Sequence, residues 1–158
     1  GEVMGLGDSF DEAFAKAALA VGERLPAQGV AFMSVRDVDK PGAASVARDL
    51  VDAGFKIIAT TGTAKALEAE GIAVERVNKV REGRPHIVDA IKNGQVQLII
   101  NTTEGRKAIS DSAQIRQSAL QTKVTYTTTL AGGEAFCRAI KFGPERTVRR
   151  LQELHAGK

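Results

Sequence analysis

Apolar and polar positions alternate along this chain with two periods, one typical of strands and the other typical of helices. Short apolar runs predict strands over residues 30–35, 55–59, 72–77, 96–101 and 123–126. Apolar residues at a spacing of three or four predict helices over residues 8–21, 42–53, 63–70, 86–93, 107–121 and 130–141. Strands that alternate with helices and are apolar along most of their length indicate a parallel sheet covered on both faces. We therefore predict an α/β domain.

The predicted strands end in small polar residues. Residues 60–63 are TTGT, residues 101–105 are NTTEG, residues 127–133 are TTTLAGG, and the first strand continues into RDVDK. Ligands of open parallel sheets bind beyond the carboxyl ends of the strands, where helix N-termini offer free N–H groups to anions. These junctions predict a site for a phosphorylated small molecule.

Two lysines are candidates for neutralising a phosphate. Lys40 follows the first strand, and Lys79 lies in the basic segment 76–84. In a doubly wound sheet both side chains could reach the same edge, although a solvated surface run explains them equally well. The phosphate-binding patterns GxxxxGK[ST] and GxGxxG are absent from the sequence, which disfavours a P-loop ATPase and a dinucleotide-binding domain.

Candidate catalytic groups are few. The histidines are His86 and His155; His86 follows Pro85 at a predicted helix start, where capping or packing is at least as plausible as proton transfer. The ends of the second, fourth and fifth strands carry Thr and Asn rather than paired carboxylates, and metal-ligand spacing is absent. Asp37 and Asp39 lie beside Lys40 after the first strand, and we interpret them as a solvated acidic loop. The sequence therefore predicts binding without an obvious acid, base or nucleophile.

Composition narrows the class of protein further. The 158 residues are 43% hydrophobic with a net charge of +3, and include six Phe, one Tyr and no Trp. This balance disfavours a nucleic-acid partner that needs base stacking. The single cysteine, Cys137, excludes an internal disulfide, and no apolar run approaches the roughly 20 residues that span a bilayer. We expect a cytoplasmic protein without a membrane partner.

Longer strings carry a resemblance to a known family. These strings are SVRDVDK (34–40), ATTGTAKAL (59–67), VNKVREGRPHIVDAIKNG (77–94), INTTEGRKAISDSAQIRQSAL (100–120) and TTLAGG (128–133). Together they resemble the C-terminal allosteric domain of the carbamoyl-phosphate synthase large subunit, and the resemblance covers nearly the whole chain. It implies the methylglyoxal-synthase-like fold, a three-layer sandwich with a five-stranded parallel sheet between helices.

The resemblance also implies a domain organisation. The opening GEVMGLGDSFDEAFAKA is similar to the segment that ends the second ATP-grasp half of that subunit. Residues 1–24 are therefore expected to end the preceding segment, and residues 25–158 to form the allosteric domain of a larger polypeptide. The tail from Gly143 shows an amphipathic pattern, with Val148, Leu151 and Leu154 on one stripe, and we interpret it as a terminal helix packed on the domain.

In that family the domain binds nucleotide effectors: UMP inhibits, IMP activates, and ornithine activates from the border with the neighbouring domain. The resemblance implies phosphate and ribose contacts at Lys40, Thr60, Thr63, Lys79, Asn101 and Thr103. It places Val80, Ile87 and Ser112 close to the base or sugar, and Thr128 at the ornithine border. Two positions depart from the family pattern. Thr61 stands where the family often has His, and Thr127 stands where it often has an acidic residue. The departure at Thr127 bears on the ornithine response.

The implied parent enzyme is a glutamine-hydrolysing ligase that serves arginine and pyrimidine biosynthesis. It uses ATP with Mg²⁺ or Mn²⁺, and in some cases K⁺, whereas this chain is expected to hold no cofactor and to be non-catalytic. Its expected partners are the nucleotide effectors, the preceding ATP-grasp domains and the small glutaminase subunit, with further contacts in oligomers.

Three alternatives remain open. Methylglyoxal synthase carries a catalytic aspartate where residues 82–87 of this chain are EGRPHI, which disfavours lyase activity. The IMP cyclohydrolase domain shares faint similarity at Lys40 and at GRPH (83–86). A module for subunit contacts, with a vestigial pocket, is the third alternative, and apolar faces on the helix at 8–21 and on the tail would suit it.

Overall fold

A computed structural model describes residues 2–22, 25–102, 106–143 and 152 of the chain. The described strands form one parallel sheet: β1 Gly29–Ser34, β2 Phe55–Ala59, β3 Val74–Arg76, β4 Leu98–Asn101 and β5 Thr125–Thr127. The described helices are α1 Phe10–Ala20, α2 Lys40–Asp52, α3 Thr61–Ala69, α4 Ile87–Lys92, α5 Arg106–Thr122 and α6 Leu130–Phe142. The predicted α/β class and the five-stranded parallel sheet are confirmed.

The strand order is β3-β2-β1-β4-β5, which fixes where a ligand site can form. The chain builds the sheet outward from β1 through β2 to β3, then returns to the other side of β1 for β4 and β5. The direction of winding therefore reverses between β1 and β4. In doubly wound sheets a crevice opens at the carboxyl ends of the two strands that flank such a reversal.

The sheet separates two apolar clusters because side chains alternate between its faces. Met33, Ile57 and Ile100 face the first cluster, which α2, α3 and α6 cover. Phe32 and Ile99 face the second cluster, which α4 and α5 cover. This arrangement is the three-layer sandwich that the family resemblance implies.

Several element boundaries differ from the sequence prediction. Helix α3 begins at Thr61 rather than at residue 63, because Thr60 has the extended backbone of an N-cap (φ −65°, ψ 153°). Strand β3 keeps only three residues of the predicted 72–77, and β5 runs one residue beyond its predicted end. Short 3₁₀ turns at Asp37–Asp39 and Val80–Glu82 were not predicted. The predicted tail helix lies outside the described residues.

Helix α1 packs on α6 at the outside of the first layer. The rings of Phe14 and Phe136 meet edge to face with centroids 5.6 Å apart. The Arg138 guanidinium lies 2.6 Å from a carboxylate oxygen of Asp11 and stacks over Phe10. Residues 8–22 thus contact the domain directly, while their assignment to a preceding ATP-grasp segment stays a prediction.

Cys137 lies on the inner face of α6 and is almost fully buried, with 1% of its surface exposed. Burial raises the pKa of its thiol to about 12, so the thiolate is scarce at neutral pH. Cys137 therefore packs in the first apolar cluster rather than serving as a reactive thiol. Among the helices that the structure describes, none combines the length and apolar character needed to cross a bilayer.

Candidate functional site

Three polar side chains form a row across the carboxyl ends of the central strands. Ser34 pairs with Asn101 in the β1–β4 register, and the hydroxyls of Ser34 and Thr60 lie 3.2 Å apart. These positions lie two residues beyond Phe32, Ile99 and Ile58, so by strand alternation the row faces the α4–α5 side of the sheet. We call Thr60, Ser34 and Asn101 the strand-end row.

Thr63 fastens the start of α3 to the end of β1. Its Oγ1 accepts a hydrogen bond of 3.0 Å from the backbone N–H of Val35 and lies 3.5 Å from Oγ1 of Thr60. Thr60 and Thr63 are 4% and 2% exposed. Both hydroxyls therefore organise the junction itself, whereas Thr61 and Gly62, between them, are exposed.

The first turn of α3 has the features of an anion-binding site. The N–H groups of residues 61–63 have no acceptor within the helix, and the side chain of the N-cap residue Thr60 does not cap them. A Cβ placed on Gly62 would have a single neighbour within 4 Å, the Lys40 ammonium at 3.7 Å. The space over Gly62 therefore lets an anion approach the backbone beside a cation. We call this turn with Lys40 the anion seat.

Asp37 forms an ion pair with the Lys40 ammonium. A carboxylate oxygen of Asp37 lies 2.5 Å from Nζ of Lys40, and the side chain of Asp37 is 91% exposed. The hydrogen bond from Lys40 lowers the pKa of Asp37, so this carboxylate stays charged at neutral pH. A bound phosphate must therefore share Lys40 with Asp37 or displace it.

Replacing Asp37 with asparagine should strengthen binding of a phosphorylated ligand about twofold to fivefold, the scale of an exposed ion pair. The substitution removes both the competitor for Lys40 and a charge that repels the anion. Titration calorimetry at low salt measures the change, and Asp52→Asn at the far end of α2 is the matched control. Unchanged affinity would show that Asp37 does not compete with the ligand.

Lys79 follows β3, next to the strand that leads into the anion seat. Its backbone N–H donates to a carboxylate oxygen of Glu82 at 2.8 Å, and Nδ2 of Asn78 donates to the carbonyl of Pro85 at 3.2 Å. These bonds close the segment 78–86 into an ordered loop. The exposed Lys79 side chain thus stands at the same edge of the sheet as Lys40.

The two strands that flank the winding reversal are joined beyond their ends. The N–H of Thr102 donates to the carbonyl of Ser34 at 3.0 Å, and the N–H of Arg36 donates to Oγ1 of Thr102 at 3.1 Å. Hydrogen bonds from Arg36 and Thr102 lower the pKa of Asp39. Hydrogen bonds therefore fix the loop that follows β1, and this loop carries the charged Asp39 carboxylate beside the anion seat.

At β4, the Asn101 carboxamide lies in a hydrogen-bond network. Its Nδ2 donates to Oγ of Ser112 and to the phenol oxygen of Tyr126, both at 3.1 Å. Asn101 and Ser112 are 2% and 4% exposed. The structure thus brings together two predicted residues and adds one, Tyr126, that sequence reasoning missed.

The other predicted contacts occupy different environments. Val80 is half-buried and Ile87 fully buried, and both pack in the second apolar cluster. Thr128 is exposed just past β5, and Thr103 lies outside the described residues. Ser34 was not among the predicted site residues, although its place two residues after Phe32 in an alternating strand indicates the same face.

His86 occupies the N-cap position of α4, where the Asp89 side chain rather than the imidazole makes the capping hydrogen bond. Its N–H donates to a carboxylate oxygen of Asp89 at 3.0 Å, and its Nδ1 lies 3.3 Å from the same oxygen. The backbone hydrogen bond from His86 lowers the pKa of Asp89. His155 lies outside the described residues. Across the part of the chain that the structure describes, no group of three or more His, Cys, Asp or Glu residues could hold a metal ion.

The protein is an α/β domain suited to binding a small anion. Its doubly wound sheet carries the anion seat with Lys40 and the strand-end row at one edge. The chain belongs to the MGS-like domain family, whose model matches residues 42–128. It is 66% identical over 157 residues to the carbamoyl phosphate synthase large chains of Pseudomonas putida and Pseudomonas aeruginosa. It is 59% identical over 160 residues to that of Halomonas eurihalina.

These matches cover 99% of this chain but only 15% of each of the three relatives. They confirm the family that the strings around Lys40, Lys79 and Asn101 indicate. The comparisons therefore establish an MGS-like domain of the carbamoyl phosphate synthase large-chain type.

Proposed function

We propose that this domain regulates a carbamoyl phosphate synthase by binding a nucleoside monophosphate, with UMP as inhibitor and IMP as activator. The observation that carries the proposal is the anion seat, where Lys40 Nζ is 3.7 Å from the Cβ position of Gly62 and the N–H groups of residues 61–63 have no acceptor within the helix. A phosphate there accepts charge-assisted hydrogen bonds and meets the positive end of the α3 dipole.

The proposal includes two further contacts that the family resemblance implies. Lys79 supplies a second cation from the β3 edge, and Asn101 supplies a hydrogen-bonding group for the sugar from β4. UMP and IMP share the pocket, so opposite effects require that each nucleotide prefers a different arrangement of the domain against its neighbours. Coupling of about 1–3 kcal/mol is the usual scale for such regulation.

The parent enzyme and its setting are part of the same proposal. It would be a cytoplasmic, glutamine-dependent ligase that uses ATP with Mg²⁺ or Mn²⁺, and in some cases K⁺, for arginine and pyrimidine biosynthesis. This domain would contact the ATP-grasp domains, the small glutaminase subunit and other copies in oligomers. Thr128, exposed past β5, would lie at the border where ornithine acts.

The test is titration calorimetry of the chain with UMP, IMP and dihydroxyacetone phosphate, with the last also assayed for turnover. Saturable binding of UMP or IMP without turnover is the expected result. Turnover of the triose phosphate would favour the lyase, for which the Asp37 carboxylate beside Lys40 is the candidate base, although its lowered pKa makes it a weak one. Absence of all binding would favour the subunit-contact module.

Removing either lysine should weaken nucleotide binding while leaving the fold intact. Lys40→Ala and Lys79→Ala each delete a charge-assisted contact to phosphate, so we expect a loss of about tenfold to a hundredfold per variant. Lys56→Ala is the matched control, because this exposed lysine lies at the opposite, amino-terminal edge of the sheet. Equal affinities for all three variants, with normal circular dichroism, would contradict the proposed position of the phosphate.

A further inference from the structure

We infer that Asp39 and Thr102 are positioning residues for the Lys40 ammonium: they tie the turn that precedes α2 to the end of β4, and so hold this lysine beside the first turn of α3. The inference rests on the proposed function and deepens it, because the two residues set the affinity for a phosphate that they need not touch. Neither residue is among the contacts that the family resemblance implies.

The two aspartates of the turn before Lys40 have different environments. The side chain of Asp37 is 91% exposed, whereas that of Asp39 is 17% exposed. The Asp39 carboxylate accepts a hydrogen bond of 2.7 Å from Nε of Arg36, and hydrogen bonds from Arg36 and Thr102 hold its pKa below the ordinary value. The interpretation of both aspartates as a solvated acidic loop is therefore wrong for Asp39.

Thr102 binds the same turn from the other side of the winding reversal. Its N–H donates to the carbonyl of Ser34 at 3.0 Å, and its Oγ1 accepts a hydrogen bond of 3.1 Å from the N–H of Arg36. A hydroxyl that accepts a hydrogen bond still has its own O–H to donate, and the Asp39 carboxylate receives it. Thr102 is itself buried. One residue just past β4 therefore contacts both ends of the turn 36–39.

Asp39 occupies the N-cap position of α2, yet its side chain makes no capping hydrogen bond. An aspartate at this position usually accepts a hydrogen bond from an N–H of the first helical turn. Here the carboxylate binds Arg36 and Thr102 instead, and the N–H of Asp39 donates to the carbonyl of Arg36 at 3.0 Å. Lys40, the first residue of α2, therefore follows a turn whose backbone is fixed at both ends.

A lysine that is already held in place binds a phosphate more tightly than a free one. Its stem is long and flexible, and ordering such a side chain on binding lowers the affinity. The Lys40 side chain is 30% exposed, and its ammonium lies 3.7 Å from the Cβ position of Gly62. If the turn before α2 loosens, more of this ordering must accompany binding, and the affinity falls.

The first test is titration calorimetry of the chain with UMP, comparing Thr102→Val and Thr102→Ser with the wild type. Valine keeps the shape of threonine and changes no charge but removes the hydroxyl, whereas serine keeps the hydroxyl. We expect Thr102→Val to bind UMP about threefold to tenfold more weakly, and Thr102→Ser to recover most of this loss. Wild-type affinity in Thr102→Val, or equal losses in both variants, would overturn the inference. Absence of UMP binding to the wild-type chain would instead contradict the proposed function.

A double-mutant cycle separates the positioning of Lys40 from general damage at the end of β4. In a Lys40→Ala chain the lysine is already gone, so Thr102→Val should weaken UMP binding by less than about twofold there. Urea unfolding checks that every variant is folded. A loss as large as in the wild-type background would mean that Thr102 acts through another contact, and would overturn its positioning role.

The two aspartates provide a test with opposite signs. Substitution of either by asparagine removes a negative charge near Lys40, and repulsion alone predicts tighter binding for both. Asp37→Asn is the matched control and should bind UMP more tightly. A neutral amide binds the Arg36 guanidinium and the Thr102 hydroxyl less strongly than a carboxylate does, so Asp39→Asn should weaken UMP binding about twofold to fivefold. Unchanged or tighter binding in Asp39→Asn would overturn the role of Asp39.

Discussion

Replacing Gly62 with alanine should weaken nucleotide binding at least tenfold without lowering the stability of the domain. The new methyl group would meet only the ammonium of Lys40, at 3.7 Å, which is ordinary van der Waals contact. Alanine is also favoured over glycine inside a helix by roughly 0.5–1 kcal/mol. The methyl group nevertheless occupies the space through which a phosphate approaches the first N–H groups of α3.

Gly62→Ala should lower nucleotide affinity without lowering stability, so general damage to the fold cannot explain the expected result. Titration calorimetry gives the affinity for UMP and IMP, and urea unfolding gives the free energy of unfolding. Ala69→Gly, at the other end of α3, is the inverse control: it should lower stability by up to about 1 kcal/mol and leave the affinity unchanged. Wild-type affinity in Gly62→Ala would mean that the phosphate does not sit on this turn.

Replacing Thr63 with alanine should have the second large effect, a loss of about 1–3 kcal/mol in the free energy of unfolding. Oγ1 of Thr63 is the acceptor for the N–H of Val35, and both residues are buried. Alanine leaves this donor unpaired away from water. Because the same bond holds the start of α3 against β1, nucleotide affinity should fall as well.

Thr63→Ser separates the hydroxyl from the methyl group. Serine and alanine both lack the threonine methyl, so the difference between these two variants reports the hydrogen bond to Val35 alone. Urea unfolding should show that serine recovers most of the stability that alanine loses. If serine and alanine were equally destabilised, the loss would come from packing, and the hydroxyl would have no role in fixing the junction.

Hydrophobic periodicity alone was enough to predict the α/β class and the sequence of strands and helices along the chain, because each strand and helix carries its own repeat. The sheet order was not available from periodicity, since any of the parallel strands could lie next to any other. Ser34 shows the consequence. Its polar side chain looks unremarkable in sequence, and it joins the site only because β1 lies between β2 and β4.

Only part of the candidate site was predicted, because the rest depends on which strands are neighbours in the sheet. Thr60 and Asn101 follow apolar runs, a local signal, and the structure places them in one row. Tyr126 was missed because its contact with Asn101 depends on the β4–β5 pairing and on α5. Ile87 was expected near the ligand, and whether it touches a nucleotide stays a prediction; in the free protein it lies inside the second cluster.

The two ends of the proposed nucleotide meet different layers of the sandwich. The anion seat belongs to α3, which packs with the first cluster, whereas Asn101 is held by α5, which packs with the second. In the proposed complex the nucleotide would bridge the two outer layers across the edge of the sheet. Its affinity would then depend on the distance between α3 and α5, so a neighbouring domain that shifted either helix would change the strength of binding. By thermodynamic reciprocity, the nucleotide would in turn resist that shift.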